Sequence, residues 1–275
     1  MLKHRDIETA ANCGEFVAMF LACSLVLLAA LGPAVAAGCA FAPQGEGRVA
    51  AVIDARSFRL EDGREIRLAG IEPAGSGKDK EASERDNTTS ALSAIVAGRE
   101  LTLRGEDDAP DRYGRQSAFV FLATSETPVQ AQLLAQGAAL VSSTVADKEC
   151  AALLTAAEAE ARLAKLGIWA DPAAIKNAES PGDILAGIGR FTVVEGKVLS
   201  VRQAGATTYL NFGRNWTRDF AVTIPRRVLS AFEAAGIVLK SFENQRIRVR
   251  GWVESRTGPR IEALHVGQIE VLGGN

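Results

Sequence analysis

The sequence predicts a mainly β protein with interspersed helices, built as two small five-stranded barrels joined by a linker. Three observations carry this. Short runs alternating apolar and polar residues, bounded by Gly, Pro, Asn or Asp, fall into two blocks. Within each block the period changes from two to a helical one and back. Between the blocks, "DPAAIKNAESPGDILAGIG" (171–189) has the Pro, Gly and polar content of a connection. At 275 residues, 47% of them hydrophobic, the chain is long enough to bury real cores.

The first block opens with "GRVAAVIDARSFRLEDGREIRLAGI" (47–71), where breaks at Asp54-Ala55 and at the hairpin pair Asp62-Gly63 divide the run into three antiparallel strands. Residues 79–97 then turn helical and stop at Gly98. Strands follow at 100–104 and 115–122, separated by the acidic loop Glu106-Asp107-Asp108. Pro128 to Gln136 reads as a short helix closed by Gly137, and Asp147 to Lys165 as a longer one with Asp147 as N-cap and Gly167 as stop. Five strands with helices between them suit the OB type of closed barrel. The second block, from Arg190, has five strand-like runs: "FTVVEGKVLSV", "TTYLNFG", "DFAVTI", "RIRVRGWVES" and "RIEALHVGQIEVL". A helix at 226–235 follows the third, which is again the OB order. The expected division is therefore 46–172, a linker over 173–189, and an OB-like domain over 190–275.

The front end reads differently. Phe16 to Leu31 carries no charge and runs into the small residues Gly32 to Gly38, which is the pattern of a signal peptide over 1–38. Export to a periplasmic or extracellular location is the expectation, although Lys3 and Arg5 are outnumbered by Asp6, Glu8 and Glu15 ahead of the apolar run. After cleavage two cysteines remain, Cys39 and Cys150. An even number in an oxidising compartment suggests a disulfide. Ala36-Ala37-Gly38-Cys39 also has the form of a lipobox, with Cys39 as a lipid-anchored first residue. A disulfide, lipidation and two free thiols all stay open.

Charge is unevenly shared. Residues 38–189 hold 16 basic and 23 acidic residues, net −7, whereas 190–275 hold 13 and 7, net +6. Polyanion attraction is expected in the C-terminal part alone. His4 and His265 are the only histidines, which excludes a Ser-His-Asp system and a histidine-rich metal site.

Three segments of the first block, "VIDARSFRLEDGREIRLAGIE", "DRYGRQSAFVFL" and "LLTAAEAEARLAKLGIWAD", resemble the thermonuclease, or staphylococcal-nuclease-like, family in order and spacing. The resemblance implies an OB-type barrel and a phosphodiesterase centre. In active members I-D-G-D-T supplies a calcium-binding aspartate. R-L-x-G-I-D-x-P-E supplies a phosphate-clamping arginine, a second calcium aspartate and a catalytic glutamate, and D-x-Y-G-R supplies a second arginine. The reaction needs all of them. Charge building on the phosphoryl oxygens must face cations, a hard cation needs oxygen ligands, and the attacking water needs a carboxylate. On this sequence the arginines fall on Arg67 and Arg115. The first calcium aspartate falls on Arg56, the second on Glu72, and the catalytic glutamate on Gly75, or on Ala74 if the turn is slid by one. Asp79 and Glu81 stand further along the same loop.

The second block resembles OB-type domains that accompany some bacterial extracellular nucleases. Tyr209, Phe212, Trp216 and Trp252 among Arg214, Arg218, Arg248 and Arg250 have the composition of a single-strand binding face, or of core aromatics beside solvated arginines. The expected function is an exported, non-catalytic binding module for single-stranded nucleic acid or an envelope protein, without a cofactor. The alternatives are a working phosphodiesterase with a relocated or different metal centre, for which calcium would be the cofactor, and a structural envelope protein.

Overall fold

Alternation and turn chemistry produce the first barrel. β1 (Ala42–Asp54) is long enough to serve two neighbours. Its first half pairs with β5 (Glu100–Gly105) and its second half with β2 (Ser57–Leu60), and register shifts bend it between the two. Asp62-Gly63 then turns the chain into β3 (Glu65–Leu68), with Gly63 at φ +90° and the Asp62 carboxylate accepting from the Arg64 amide at 3.0 Å. β6 (Arg115–Leu122) closes the barrel, parallel to β3 and antiparallel to β5. The closed order is β1-β2-β3-β6-β5, as expected for the first block. The structure, a computed structural model, describes residues 39–74 and 82–273. The expected signal peptide and lipobox, and the loop positions Gly75, Asp79 and Glu81, lie outside the described residues.

Between β3 and β5 come β4 (Ile71–Pro73) and α1 (Ala82–Val96). After β6 come α2 (Val129–Ala135), β7 (Ala139–Val141) and α3 (Lys148–Leu163). β4 and β7 form a two-stranded ribbon that the sequence pattern does not reveal, because three residues are too few to show a period. Asp147 caps α3, its carboxylate accepting from the Cys150 amide at 2.7 Å. Gly137 and Gly167 do more than stop helices. A Cβ on Gly137 would lie 2.2 Å from the Leu166 carbonyl oxygen, and one on Gly167 would lie 2.4 Å from the Gly137 carbonyl oxygen, so only glycines let these backbones touch. Cys39 and Cys150 are both fully buried and disulfide-bonded, with Cα atoms 4.3 Å apart, so the start of β1 is tied to the first turn of α3.

The second block departs from expectation. Residues 173–189, read as a linker, carry β8 (Ile175–Asn177) and α4 (Pro181–Leu185). Pro181 sits at the first helical turn, where its missing amide hydrogen costs nothing, and Ile184 is fully buried. β9 (Phe191–Lys197) pairs in parallel with β8, after which the chain bends at Val198 into β10 (Ser200–Ala204). β11 (Thr207–Asn211), β12 (Ala221–Pro225), α5 (Leu229–Ala234), β13 (Arg246–Ser255) and β14 (Pro259–Glu262) follow. "RIEALHVGQIEVL" is not one strand. A 3-10 turn at Val266–Gln268 separates β14 from β15 (Ile269–Leu272), and both pair with β13.

The result is an eight-stranded sheet in the order β10-β11-β12-β14-β13-β9-β8, with β15 on β13, rather than the five-stranded barrel expected. Within it the first block's pairing pattern recurs, including the parallel pair, here β12 with β14. The described residues, 39–74 and 82–273, belong to one compact unit. A shared apolar cluster of Leu140, Ala161 and Trp169 with Phe191 and Val193 joins the blocks, which is why the intervening segment is folded against them. Among the described residues no helix is long and apolar enough to cross a membrane.

Candidate functional site

The tight turn after β1 places Arg56. The Asp54 carboxylate accepts from the Arg56 amide at 2.9 Å, and the Arg56 carbonyl accepts from the Leu68 amide at 2.8 Å, which fixes the turn against β3. From there the Arg56 guanidinium donates to the Glu72 carboxylate. Glu72 is held on β4 opposite Leu140 and is only 7% exposed. Arg67, on β3 between Ser57 and Ser117, brings its Nη2 to 3.8 Å from the other Glu72 oxygen. One buried carboxylate thus faces two guanidinium groups. Burial, followed by the positive charge of Arg56, lowers the pKa of Arg67 below its ordinary value.

Arg115 begins β6 beside Glu65. Its partner is local: Asp111 accepts from Arg115 Nε at 3.0 Å and Nη2 at 2.8 Å, and also from the backbone amides of Tyr113 and Arg115. The side-chain hydrogen bond from Arg115, then that from its backbone amide, hold the Asp111 carboxyl down at about 2. The same side-chain bond raises Arg115. Tyr113 is exposed, with the guanidinium carbons of Arg112 and Arg115 lying 4.8 and 5.0 Å from its ring centroid.

A testable pH dependence follows from Asp111. A folded-state pKa below the unfolded one, about 4, means that the stabilisation is complete above the unfolded value and is lost as pH falls through the folded one. The Asp111–Arg115 pair is therefore expected to hold down to roughly pH 2. NMR of the Asp111 carboxyl carbon checks this, and a midpoint at the ordinary carboxylate value would overturn it.

Beside Arg67 lies a cleft of about 390 Å³, lined by Arg67, Glu72, Glu106, Asp107, Ser117, Phe119 and Ser142 among others. Arg67 is its one cation among the lining residues, set against the carboxylates of Glu72, Glu106 and Asp107. Among the described residues no group of three or more His, Cys, Asp or Glu side chains is placed to hold a metal ion.

The C-terminal residues expected to share one face do not. Phe212 is buried against Phe220, their rings 5.1 Å apart. Arg248 is buried and donates to Glu195 at 2.8 Å and to Glu270 at 2.7 Å. Burial works to lower its pKa, but these two carboxylates outweigh it and the net shift is upward. Arg250 is 4% exposed and donates to both oxygens of Glu158, at 2.9 and 2.7 Å, and to the Val141 carbonyl at 3.2 Å. Tyr209 is half-buried on β11, and Trp252, 44% exposed, rests edge-on against Phe191 at 6.0 Å. Arg214, Trp216 and Arg218 alone stand together in solvent, on the loop between β11 and β12. Glu158 was not foreseen. In "AAEAEARL" nothing distinguishes it from the exposed Glu160.

The first block is thus a closed barrel in the β1-β2-β3-β6-β5 order, with a helix after its third strand, Arg67 on β3 beside the cleft and Arg115 at the start of β6. Residues 65–171 match the family model described as Staphylococcal nuclease homologue. The match begins at β3, past the turn that carries Arg56, and ends at the 3-10 turn after α3. No curated protein matches the chain.

Proposed function

We propose that the chain is an exported relative of the thermonucleases whose metal-dependent centre has been replaced by a fixed organic cation, and that it binds nucleic acid without cleaving it. The observation that carries this reading is the Arg56–Glu72 ion pair. In the family resemblance both positions belong to calcium-binding carboxylates. Here one carries a guanidinium, and that guanidinium uses the carboxylate at the other. The residues do not fit a calcium ion, because a cation placed beside Glu72 would meet Arg56 and Arg67 as like charges. Arg67, 3.8 Å from Glu72, is the cation that lines the cleft and could meet a phosphate oxygen, while Arg115 gives Nε and Nη2 to Asp111 and keeps Nη1. Glu106 and Asp107 also line the cleft, so the anion must approach on the Arg67 side. What such a site offers is anion affinity that needs no metal. The repeated pairing pattern supports an OB-type origin for the second block as well. The Cys39–Cys150 bond supports export, since such bonds persist in oxidising compartments.

The test is incubation of the protein with single- and double-stranded DNA and RNA in calcium, magnesium, manganese or chelator, with calorimetry for calcium. Oligonucleotide binding that survives chelator, is weakened in Arg67→Ala and Arg115→Ala, and is accompanied by no cleavage is expected. Cleavage abolished by chelator, or calcium binding in the micromolar range, would establish a working phosphodiesterase instead. Restoring carboxylates through Arg56→Asp, Glu72→Asp and Gly75→Glu together is expected to raise metal-dependent cleavage above that of the parent.

A further inference from the structure

The loop between β11 and β12 presents an indole to solvent with nothing to cover it. Trp216 is 73% exposed and, among the described residues, makes no ring contact. Exposure here is not the result of a slack loop. The Asn215 amide donates to the Asp219 carboxylate at 2.9 Å, the Asn215 side-chain oxygen accepts from the Thr217 amide at 3.1 Å, and the Asn215 carbonyl accepts from the amides of Arg218 at 3.1 Å and Asp219 at 2.8 Å. Buried Phe212 and Phe220 anchor the two feet of the loop. Gly213 is required: a Cβ there would lie 2.0 Å from the Asp219 carboxylate oxygen that receives the Asn215 amide. A flat aromatic surface is thus held out before any ligand arrives.

Cations surround it. Arg214 and Arg218 flank Trp216 on the loop and are exposed. The β13–β14 hairpin packs directly against the loop, since a Cβ on Gly258 would lie 3.0 Å from the Asp219 carbonyl oxygen, and this brings the exposed Arg256 to the same end of the sheet. Arg214 and Arg256 have no carboxylate partner among the described residues, and Arg218 has only Asp219, at 3.5 Å.

We infer that this apex is a stacking platform for single-stranded nucleic acid, with a base on Trp216 and backbone phosphates on Arg214, Arg218 and Arg256. A preorganised ring with exposed guanidinium groups on its loop and on the neighbouring hairpin matches what sequence-tolerant strand binding needs. An anionic membrane would meet the same charges. A membrane-seated segment, however, presents several large apolar side chains together, and here Trp216 stands among Asn215, Thr217 and two arginines. The inference shares the nucleic-acid class of ligand with the reading above, but it assigns a separate site on separate residues.

The experiment uses the intact protein, oligo-dT and oligo-U, and intrinsic tryptophan fluorescence. Binding is expected to quench the exposed Trp216. Trp216→Ala is expected to weaken binding about 5- to 150-fold, the equivalent of one lost base stack, with Trp216→Phe restoring most of it. Removing each arginine as glutamine should flatten the slope of log affinity against log salt by about 0.7. The thermal midpoint of Trp216→Ala should stay close to the parent's, since the side chain is 73% exposed. Unchanged affinity in Trp216→Ala overturns the inference, as does a fluorescence blue shift with phosphatidylglycerol vesicles in a protein that ignores oligonucleotides. Arg67→Ala separates the two sites. Binding lost there but kept in Trp216→Ala overturns this platform alone, and the reverse overturns the barrel site alone.

Discussion

Glu158→Ala is expected to destabilise the protein by about 3–5 kcal/mol, because it leaves the Arg250 guanidinium buried without a counter-charge. Glu158 is fully buried and Arg250 is 4% exposed. One Glu158 oxygen also accepts from the Val141 amide at 2.8 Å, so the carboxylate joins α3, β7 and β13 at one point. Arg162, one turn further along α3, comes within 3.7 Å of the same carboxylate, and burial, then the nearby positive Arg248, lower its pKa. Arg250→Met alone should cost less than Glu158→Ala, since Arg162 still faces Glu158. Glu158→Leu with Arg250→Met should cost far less than Glu158→Leu and Arg250→Met made singly and added together, apart from about 1–3 kcal/mol for the stranded Val141 amide. Denaturant unfolding of the four proteins measures the coupling. Additive losses would show that the pair does not couple, and two separate unfolding transitions in the parent would show that the blocks are not one cooperative unit.

Loss of the Cys39–Cys150 bond is the second large effect. The bond closes a loop with a sequence separation of 111 residues. On the chain-entropy view, opening a loop of this length costs about 4–5 kcal/mol, since the unfolded chain regains the freedom that the link removed. Both sulfurs are buried, and the α3 end is already ordered by the Asp147 cap, so Cys39→Ser with Cys150→Ser should unfold at clearly lower denaturant with a larger exposed area. Denaturant melts with and without reductant check the magnitude, and mass spectrometry of the natural protein checks the bond. A diacylglyceryl group on Cys39 would replace the bond with a lipid anchor.

Much of the first barrel was legible because its signals are local. Asp62-Gly63, the helix stops at Gly98, Gly137 and Gly167, and the Asp147 cap each follow from the conformations a few residues can adopt. The Arg115 clamp was close to legible as well, since Asp111 lies four residues away. Parity suggested the cysteine pair but could not choose among a bond, a lipid and free thiols. The linker was misread because Pro, Gly and polar residues look the same in a connection and in a short capped helix packed through one buried isoleucine. The eighth strand and the β4–β7 ribbon were missed because segments of three residues carry no period.

β13 shows where local pattern stops being sufficient. Alternation correctly puts Arg248, Arg250 and Trp252 on one side of the strand, and no property of those residues says what covers that side. In the fold, Glu195 and Glu270 meet Arg248, Glu158 and Val141 meet Arg250, and only Trp252 reaches solvent. Arg56 and Glu72 follow the same logic. The sequence by itself determined which side chains stand at positions 56 and 72, how the charge divides between the blocks, and the turns that shape the first barrel. The tertiary structure decided that Arg56 reaches Glu72, that Arg250 is an internal counter-ion rather than a surface cation, and that Trp216 is left uncovered. Backbone preference acts over a few residues, whereas burial and ion pairing depend on which distant segment arrives alongside.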